Sequence, residues 1–450
     1  MSTPPSSSPS SPRDILPYND TREFKDMGTP CESVYSYRPG GFHPVHLDDV
    51  LNDRYRVTRK LGYGGYATVW LAVDSLTSTH VALKIHAADL DTSNELSIQQ
   101  HLITNSSQDP DSDFVLLFSE SFILQGPNGK HLCFVTKPMG PSIWTVMSTS
   151  PSEIVDLKNR PSNRFPTRRS RSFLRNVLSG LNLLHKNGVV HGDLQSGNVL
   201  FSLRDMTEID PHELEHHETN FSRLDPVTRT DGKIDPWAPR YLAPPEPLTE
   251  ASLPLDQQIV KLADLGSAFW ADKPPKSILT ARALRAPETL LHNKVCSAID
   301  IWSFGCLMYE LLTECYLFDV IDFGRSRDVL DDEHLIAISE VIGPLPEDML
   351  AKWHRYTTYF GASGERLTAR PSDFDDSEFG RRMKKRAQSK SFEAPKPLPT
   401  LEEQFFKLKP NDVDDMEAKE IVSLLREILQ VDPSKRPSAA DLLTRSWFST

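Results

Sequence analysis

Val189-Val190-His191-Gly192-Asp193-Leu194-Gln195-Ser196-Gly197-Asn198-Val199-Leu200-Phe201 sets a polar loop between two apolar runs, with a carboxylate and a carboxamide five positions apart. Chemistry on a hydroxyl acceptor needs a group that orients that hydroxyl, which Asp193 supplies, while Asn198 offers a neutral oxygen ligand for magnesium. Taken alone, the loop also reads as a surface turn.

The segment before the loop, SFLRNVLSGLNLLHKNG (172–188), places Leu174, Val177, Leu178, Leu181 and Leu184 at helical spacing and ends on Gly188, a helix-stop signal. Beyond the loop, VKLADLGSAFW (260–270) puts Asp264 at the end of an apolar strand, positioned to bind a metal bridging nucleotide phosphates. Then come Arg285-Ala286-Pro287-Glu288, the helix SAIDIWSFGCLMYELLT (297–313) and Arg436 in DPSKRPS. That helix is apolar nearly all round, as a helix central to a lobe would be, with Ser297 as its expected N-cap. Glu288 is expected to pair with Arg436, and Asp300 to take donors from the backbone of the 191–198 loop.

Upstream, YRVTRKLG (55–62), ATVWLAV (67–73), HVALKI (80–85) and HLCFVT (131–136) read as antiparallel strands. Between the first two, Leu61-Gly62-Tyr63-Gly64-Gly65-Tyr66-Ala67-Thr68-Val69 is a glycine-rich turn whose missing side chains let backbone approach phosphates. Lys84 follows in VALK and can set a cation on those phosphates; an exposed strand lysine is the competing reading. Glu95, on the predicted helix SNELSIQQHL, is the nearest carboxylate to hold that cation, against the alternative of a solvated glutamate. Each motif has an ordinary explanation, but their joint order and spacing do not.

The composition, 38% hydrophobic and 25% charged over 450 residues, is that of a soluble globular protein of two lobes or domains. A net charge of -12 opposes direct nucleic-acid binding and adhesion to anionic lipid, and favours a basic peptide partner. Five cysteines without CxxC spacing indicate neither a zinc site nor a disulfide framework. With no secretory or membrane-spanning segment, an intracellular protein, cytoplasmic or nuclear, is expected; Arg381, Arg382, Lys384, Lys385 and Arg386 read as a solvated loop or a nuclear address.

From Tyr55 onward these residues resemble the eukaryotic protein kinase family, and the lead-in RPGGFHPVHLDDVLNDRYRVTRKLGYGGYATVWLA (38–72) is most similar to the SR-protein-specific serine/threonine kinases, especially fungal members. The resemblance implies an α+β bilobal fold, with a small antiparallel-sheet N-lobe over 55–140 and a mainly helical C-lobe over 141–450. A disordered Ser/Pro-rich tail (1–31) and a lead-in (32–54) would precede the lobes, with C-lobe surface insertions at about 203–258 and 361–399. It implies ATP and Mg2+ as cofactors, with Lys84 anchoring phosphates, Asp193 as base, and Asn198 and Asp264 as metal ligands. Leu61, Gly62, Tyr63, Gly64, Gly65, Val69 and Ala82 would surround the nucleotide, Thr136 would guard the adenine pocket, and Pro138 and Met139 would line the hinge. By the same resemblance the partner is a protein substrate with basic Arg/Ser-rich segments, the enzyme is a monomer, and Asp331, Asp332 and Glu333 dock the substrate.

The 71 positions from Asp193 to Asp264 and the Asp-Leu-Gly that starts at Asp264 match that subfamily. Two departures stand out. Gly192 replaces an arginine that normally meets an activation-segment phosphate, so alanine at Ser277 and Thr280 is expected to leave turnover unchanged. Gln195 replaces a lysine that steadies the transferring phosphoryl group, which implies slow turnover, and together with Gly192 it raises a non-catalytic binding module as the first alternative. The second is a small-molecule phosphotransferase, because HGDLQSGN resembles the loop of aminoglycoside and choline kinases; the RAPE, DIWSFG and distant-arginine motifs oppose it.

Overall fold

The structure is a computed structural model that describes residues 21–26, 30–148, 164–210, 214, 224, 226–291, 295–321, 325–367, 381–382, 385 and 396–449. The chain divides into two compact units, residues 1–146 with 199–266, and residues 147–198 with 267–450.

The first unit is built on a six-stranded antiparallel sheet of order β1-β2-β3-β4-β6-β5. Its strands are β1 (Val50–Leu51), β2 (Tyr55–Tyr63), β3 (Ala67–Asp74), β4 (Thr79–His86), β5 (Phe118–Gly126) and β6 (Gly129–Thr136). Val57, Trp70, Ala72, Leu83, Ile85, Cys133 and Val135 interlock on one face, as alternating β-branched and aromatic positions allow. The glycine-rich turn joins β2 to β3, closed by the Gly64 N–H on the Ala67 carbonyl at 2.9 Å. Helix α1 (Ser93–Ser106) buries Ile98 and Leu102, and the ladder β8 (Val199–Phe201) with β9 (Val260–Leu262) completes the unit.

Two boundaries differ from the sequence reading. Residues 203–258, expected as a surface insertion of the helical lobe, pack onto the sheet unit: Leu203, Ile209, Leu214, Leu248 and Ala251 cluster with Leu71 of β3. Arg59 of β2 donates to the carbonyls of Glu246 and Pro247 at 2.8 and 3.1 Å. Within the expected disordered tail of residues 1–31, residues 21–26 pack against the rest of the unit. Arg22 is buried, bonds Asp235 at 3.1 Å and lies over Trp237, while Phe24 bridges to Arg229. Residues 1–20 and 27–29 lie outside the described residues. These contacts join positions some 200 residues apart, and acidic, Pro-rich composition carries no trace of them.

The lead-in and the insertion together cover Lys60, which would otherwise face water from β2. Its ammonium bonds the Glu32 carboxylate, which also accepts the Tyr37 hydroxyl, and all three side chains are buried. Leu242 packs with Val34, Tyr37 and Phe42 beside them.

The second unit is mainly helical. Helix α2 (Thr167–Lys186) buries Leu174, Val177, Leu178, Leu181 and Leu184 along one face and stops at Gly188, whose φ of +69° suits glycine. Helix α3 (Ala298–Thr313) buries every residue from 299 to 313; Ser297 holds the N-cap position, but its side chain makes no capping bond. Helices α5 (Leu401–Leu408) and α6 (Asp415–Ile428) pack on α3, α7 (Ala439–Leu443) packs on α2, α4 (Arg327–Val341) packs on the turn Pro287–Leu290, and β7 (Val189–Val190) pairs with β10 (Phe269–Trp270). Most of 361–399 lies outside the described residues; within it Arg381, Arg382 and Lys385 are exposed. Among the described residues no helix is long and apolar enough to cross a membrane.

Candidate active site

In the sheet unit, β4 carries Lys84 between Val69 of β3 and Phe134 of β6. Its ammonium bonds Glu95 Oε1 at 2.9 Å and Asp264 Oδ1 at 2.7 Å. Burial opposes the ammonium charge, but the two carboxylates outweigh it and raise the Lys84 pKa. Burial likewise opposes the Glu95 carboxylate, and Lys84 and His86 hold its pKa below the usual value. His86 was missed by the sequence reading. It lies two positions beyond Lys84 on the same strand face, donates or accepts at Glu95 Oε2 over 3.1 Å, and is fixed by the Leu132 carbonyl at 2.9 Å. That i, i+2 spacing was the available signal.

Asp264 follows β9 with φ +63°, a left-handed conformation that costs a non-glycine residue about 1–2 kcal/mol. Gly266 sits beside it: a Cβ there would stand 3.1 Å from Asp264 Oδ1 and 3.5 Å from Glu95 Oε2, so a side chain would press the Asp264 carboxylate by a few tenths of an ångström. In the glycine-rich turn, a Cβ at Gly62, Gly64 or Gly65 would meet no protein atom within 4 Å, so packing does not demand those glycines. Around them, Leu61 packs on the Leu71 cluster, Tyr63 is exposed, and Val69 pairs with Gly62 and Lys84. Ala82 lies between Leu71 and Thr136, and Pro138 and Met139 are buried just after β6.

In the helical unit, the loop after β7 folds back on Asp193. Gln195 Nε2 donates to Asp193 Oδ2 at 2.9 Å, and Asn198 Nδ2 donates to the Asp193 carbonyl at 2.9 Å and to Oδ2 at 3.2 Å. The loop backbone hangs from α3: Asp300 accepts the N–H groups of His191 and Gly192 at 2.8 and 2.9 Å and His185 Nε2 at 2.9 Å. Burial pushes the Asp300 carboxyl up, but His185, His191 and the Gly192 amide hold it below its ordinary value. Glu288 and Arg436 form a buried bidentate pair at 2.6 and 2.8 Å.

A second carboxylate of α3 escaped the sequence reading. Glu310 is buried, accepts the Ser196 hydroxyl at 2.7 Å, and is pushed up to about 7 by burial. An acid within the apolar second half of that helix was the signal.

Two expectations are corrected here. Thr280 is buried and donates to the Gly192 carbonyl at 2.5 Å, so alanine at 280 removes a structural bond, whereas Ser277 is exposed. Asp331, Asp332 and Glu333, expected to dock substrate, are engaged within the chain. Asp331 holds Arg282 at 2.6 Å, Asp332 is buried against Trp353, Tyr359 and Arg355, and Glu333 pairs with Arg325. Carboxylates with internal arginine partners leave no free acidic patch at that turn of α4.

Residues 55–210 and 251–448 match the protein kinase domain family. The serine/threonine-protein kinase SRPK of Physarum polycephalum is 32% identical over 364 residues, covering 77% of this chain and 80% of that protein. SRSF protein kinase 3 of Homo sapiens is 23% identical, covering 74% of this chain and 80% of the relative. Among solved structures, the crystal structure of a kinase domain aligns with a TM-score of 0.58 at 24% identity, over 90% of this chain and 98% of that one, which shows the shared fold. A cation held by two carboxylates beside a glycine-rich turn, an aspartate loop hung from a buried helix and a domain match over most of the sequence agree, and the chain belongs to the protein kinase family as a serine/threonine kinase of the SRPK type.

Proposed function

We propose that this kinase uses ATP and Mg2+ to phosphorylate serine in basic, Arg/Ser-rich protein segments, with Asp193 as the base. The observation that carries the reading is the complete donor set: Lys84 charged and held, Asp264 half-exposed, and Asn198 bonded to Asp193. Both amide hydrogen bonds of Asn198 go to Asp193, which leaves its carbonyl oxygen as the ligand atom. Asn198 and Asp264 are hard oxygen donors suited to magnesium, which takes one or two protein ligands together with phosphates.

When bound, magnesium neutralises charge on the transferring phosphoryl group. Lys84 would hold the phosphates, and the bare turn of Gly62, Gly64 and Gly65 lets backbone N–H groups approach them. Asp193 orients the serine hydroxyl and takes its proton. Gln195, a neutral amide where a lysine is usual, steadies Asp193 and supplies no charge, so turnover is slow. Net charge -12 and the likeness to SR-protein kinases support a basic substrate.

The test offers an Arg/Ser-rich peptide, an acidic peptide and choline, each with labelled ATP and Mg2+, beside an Asp193→Ala control. Label is expected on the basic peptide at least tenfold over the others and absent with the control. Preference for the acidic peptide or choline defeats the reading, and no transfer to any acceptor favours the binding-module alternative.

A further inference from the structure

We infer that Ser326 is a phosphoryl acceptor for a second copy of this same kinase. The inference rests on the Arg/Ser reading of substrate preference. Two serines in the chain have arginine on both sides, Ser170 in Arg169-Ser170-Arg171 and Ser326 in Arg325-Ser326-Arg327. The structure separates them sharply. Ser170 lies inside α2 and is fully buried, so its hydroxyl is reached only by unwinding the helix. Ser326 is exposed, precedes α4, and has extended backbone at φ -63° and ψ 153°.

Its side chain also makes no capping bond to α4, so nothing of that kind is lost when the hydroxyl is drawn into another active centre. Arg327 is exposed and forms no ion pair among the described residues, while Arg325 pairs with Glu333 and bonds the Ile321 carbonyl at 2.7 Å. An enzyme of net charge -12 that prefers arginine beside serine thus presents that very pattern on its own surface.

The step balances. Ser326 Oγ forms a bond to the γ-phosphorus of ATP, the bond from that phosphorus to the β,γ-bridging oxygen breaks, ADP leaves, and the hydroxyl proton passes to Asp193 of the catalysing copy. The product places a dianion at the positive end of a 15-residue helix, between two guanidinium groups. Helix α4 carries Asp331 against Arg282, so firmer anchoring of α4 reaches the segment that ends in the Arg285-Ala286-Pro287-Glu288 motif.

The full chain is incubated with Mg2+ and ATP alongside an Arg/Ser-rich peptide, and modified residues are identified by fragment mass spectrometry. Phosphate is expected on Ser326 and not on Ser170, at a rate rising with enzyme concentration. Asp193→Ala protein is expected to stay unmodified alone but to gain phosphate on Ser326 when mixed with active Ser326→Ala enzyme. The Arg327→Ala change is expected to slow labelling about tenfold, and phosphorylated protein to melt at a higher temperature than its phosphatase-treated form. Peptide turnover with unmodified Ser326, or labelling that ignores enzyme concentration, overturns the inference and leaves the substrate reading intact. Absence of peptide turnover overturns the substrate reading and this inference with it.

Discussion

Gly192 illustrates how one position constrains several others. Its φ of +76° favours glycine, and a Cβ would come within 2.7 Å of the Ser267 carbonyl, so the arginine common in other kinases has no room on this backbone. The carbonyl of Gly192 instead takes the Thr280 hydroxyl, and Arg285 bonds the Thr280 carbonyl at 2.7 Å. The segment is thereby tied to the aspartate loop by its own side chains. Glu310 sets a pH dependence at the same scale. Its folded pKa of about 7 lies above the ordinary 4.5, so between those values the folded state binds more protons than the unfolded chain. Stability from this group is complete below about pH 4.5 and is lost as pH rises to about 7, by on the order of 3 kcal/mol. Glu310→Gln, which keeps an acceptor for Ser196, is expected to flatten that slope in urea unfolding between pH 5 and pH 8; an unchanged slope refutes the assignment. The sequence displayed Lys84, Asp193, Asn198 and Asp264 because their chemistry needs fixed spacing. It concealed His86 and Glu310, whose importance comes only from what burial places beside them.

At the scale of elements, periodicity carried most of the reading. The helices α2 and α3 and the strands β2, β3, β4 and β6 follow directly from apolar spacing, since each buries one face or, in α3, nearly its whole circumference. The Glu288–Arg436 pair was legible too, because a carboxylate in a buried motif requires a partner. Arg436 also lies 4.9 Å over the Trp302 ring of α3 and bonds the Ala298 carbonyl, so it fastens three elements at once. Arg436→Ala leaves Glu288 buried without its counter-charge and is expected to destabilise by about 3–5 kcal/mol. Chemical denaturation measures this, and a loss under 1 kcal/mol would contradict it. Lead-in and insertion resisted the same reasoning: the periodic signal fails in segments whose order comes from ion pairs and carbonyl contacts with distant strands.

For the molecule as a whole, the sheet unit is assembled from pieces far apart in sequence. Arg22 and Asp235 are both almost fully buried, and Arg229 approaches the same carboxylate at 3.4 Å. Arg22→Ala is expected to lower stability by about 2–4 kcal/mol, less than loss of an isolated pair because Arg229 remains. A melting curve matching the parent protein would show that the amino-terminal segment is dispensable. The packing of residues 203–258 on Leu71 also has a consequence for biosynthesis. Ala251 leaves the ribosome 115 residues after Thr136 ends the last strand of the main sheet. At cellular translation rates that is a delay of roughly 6–25 s. Until it ends, the nascent sheet presents Leu71 to solvent without its full cover, a window in which a chaperone holds the chain or aggregation claims it.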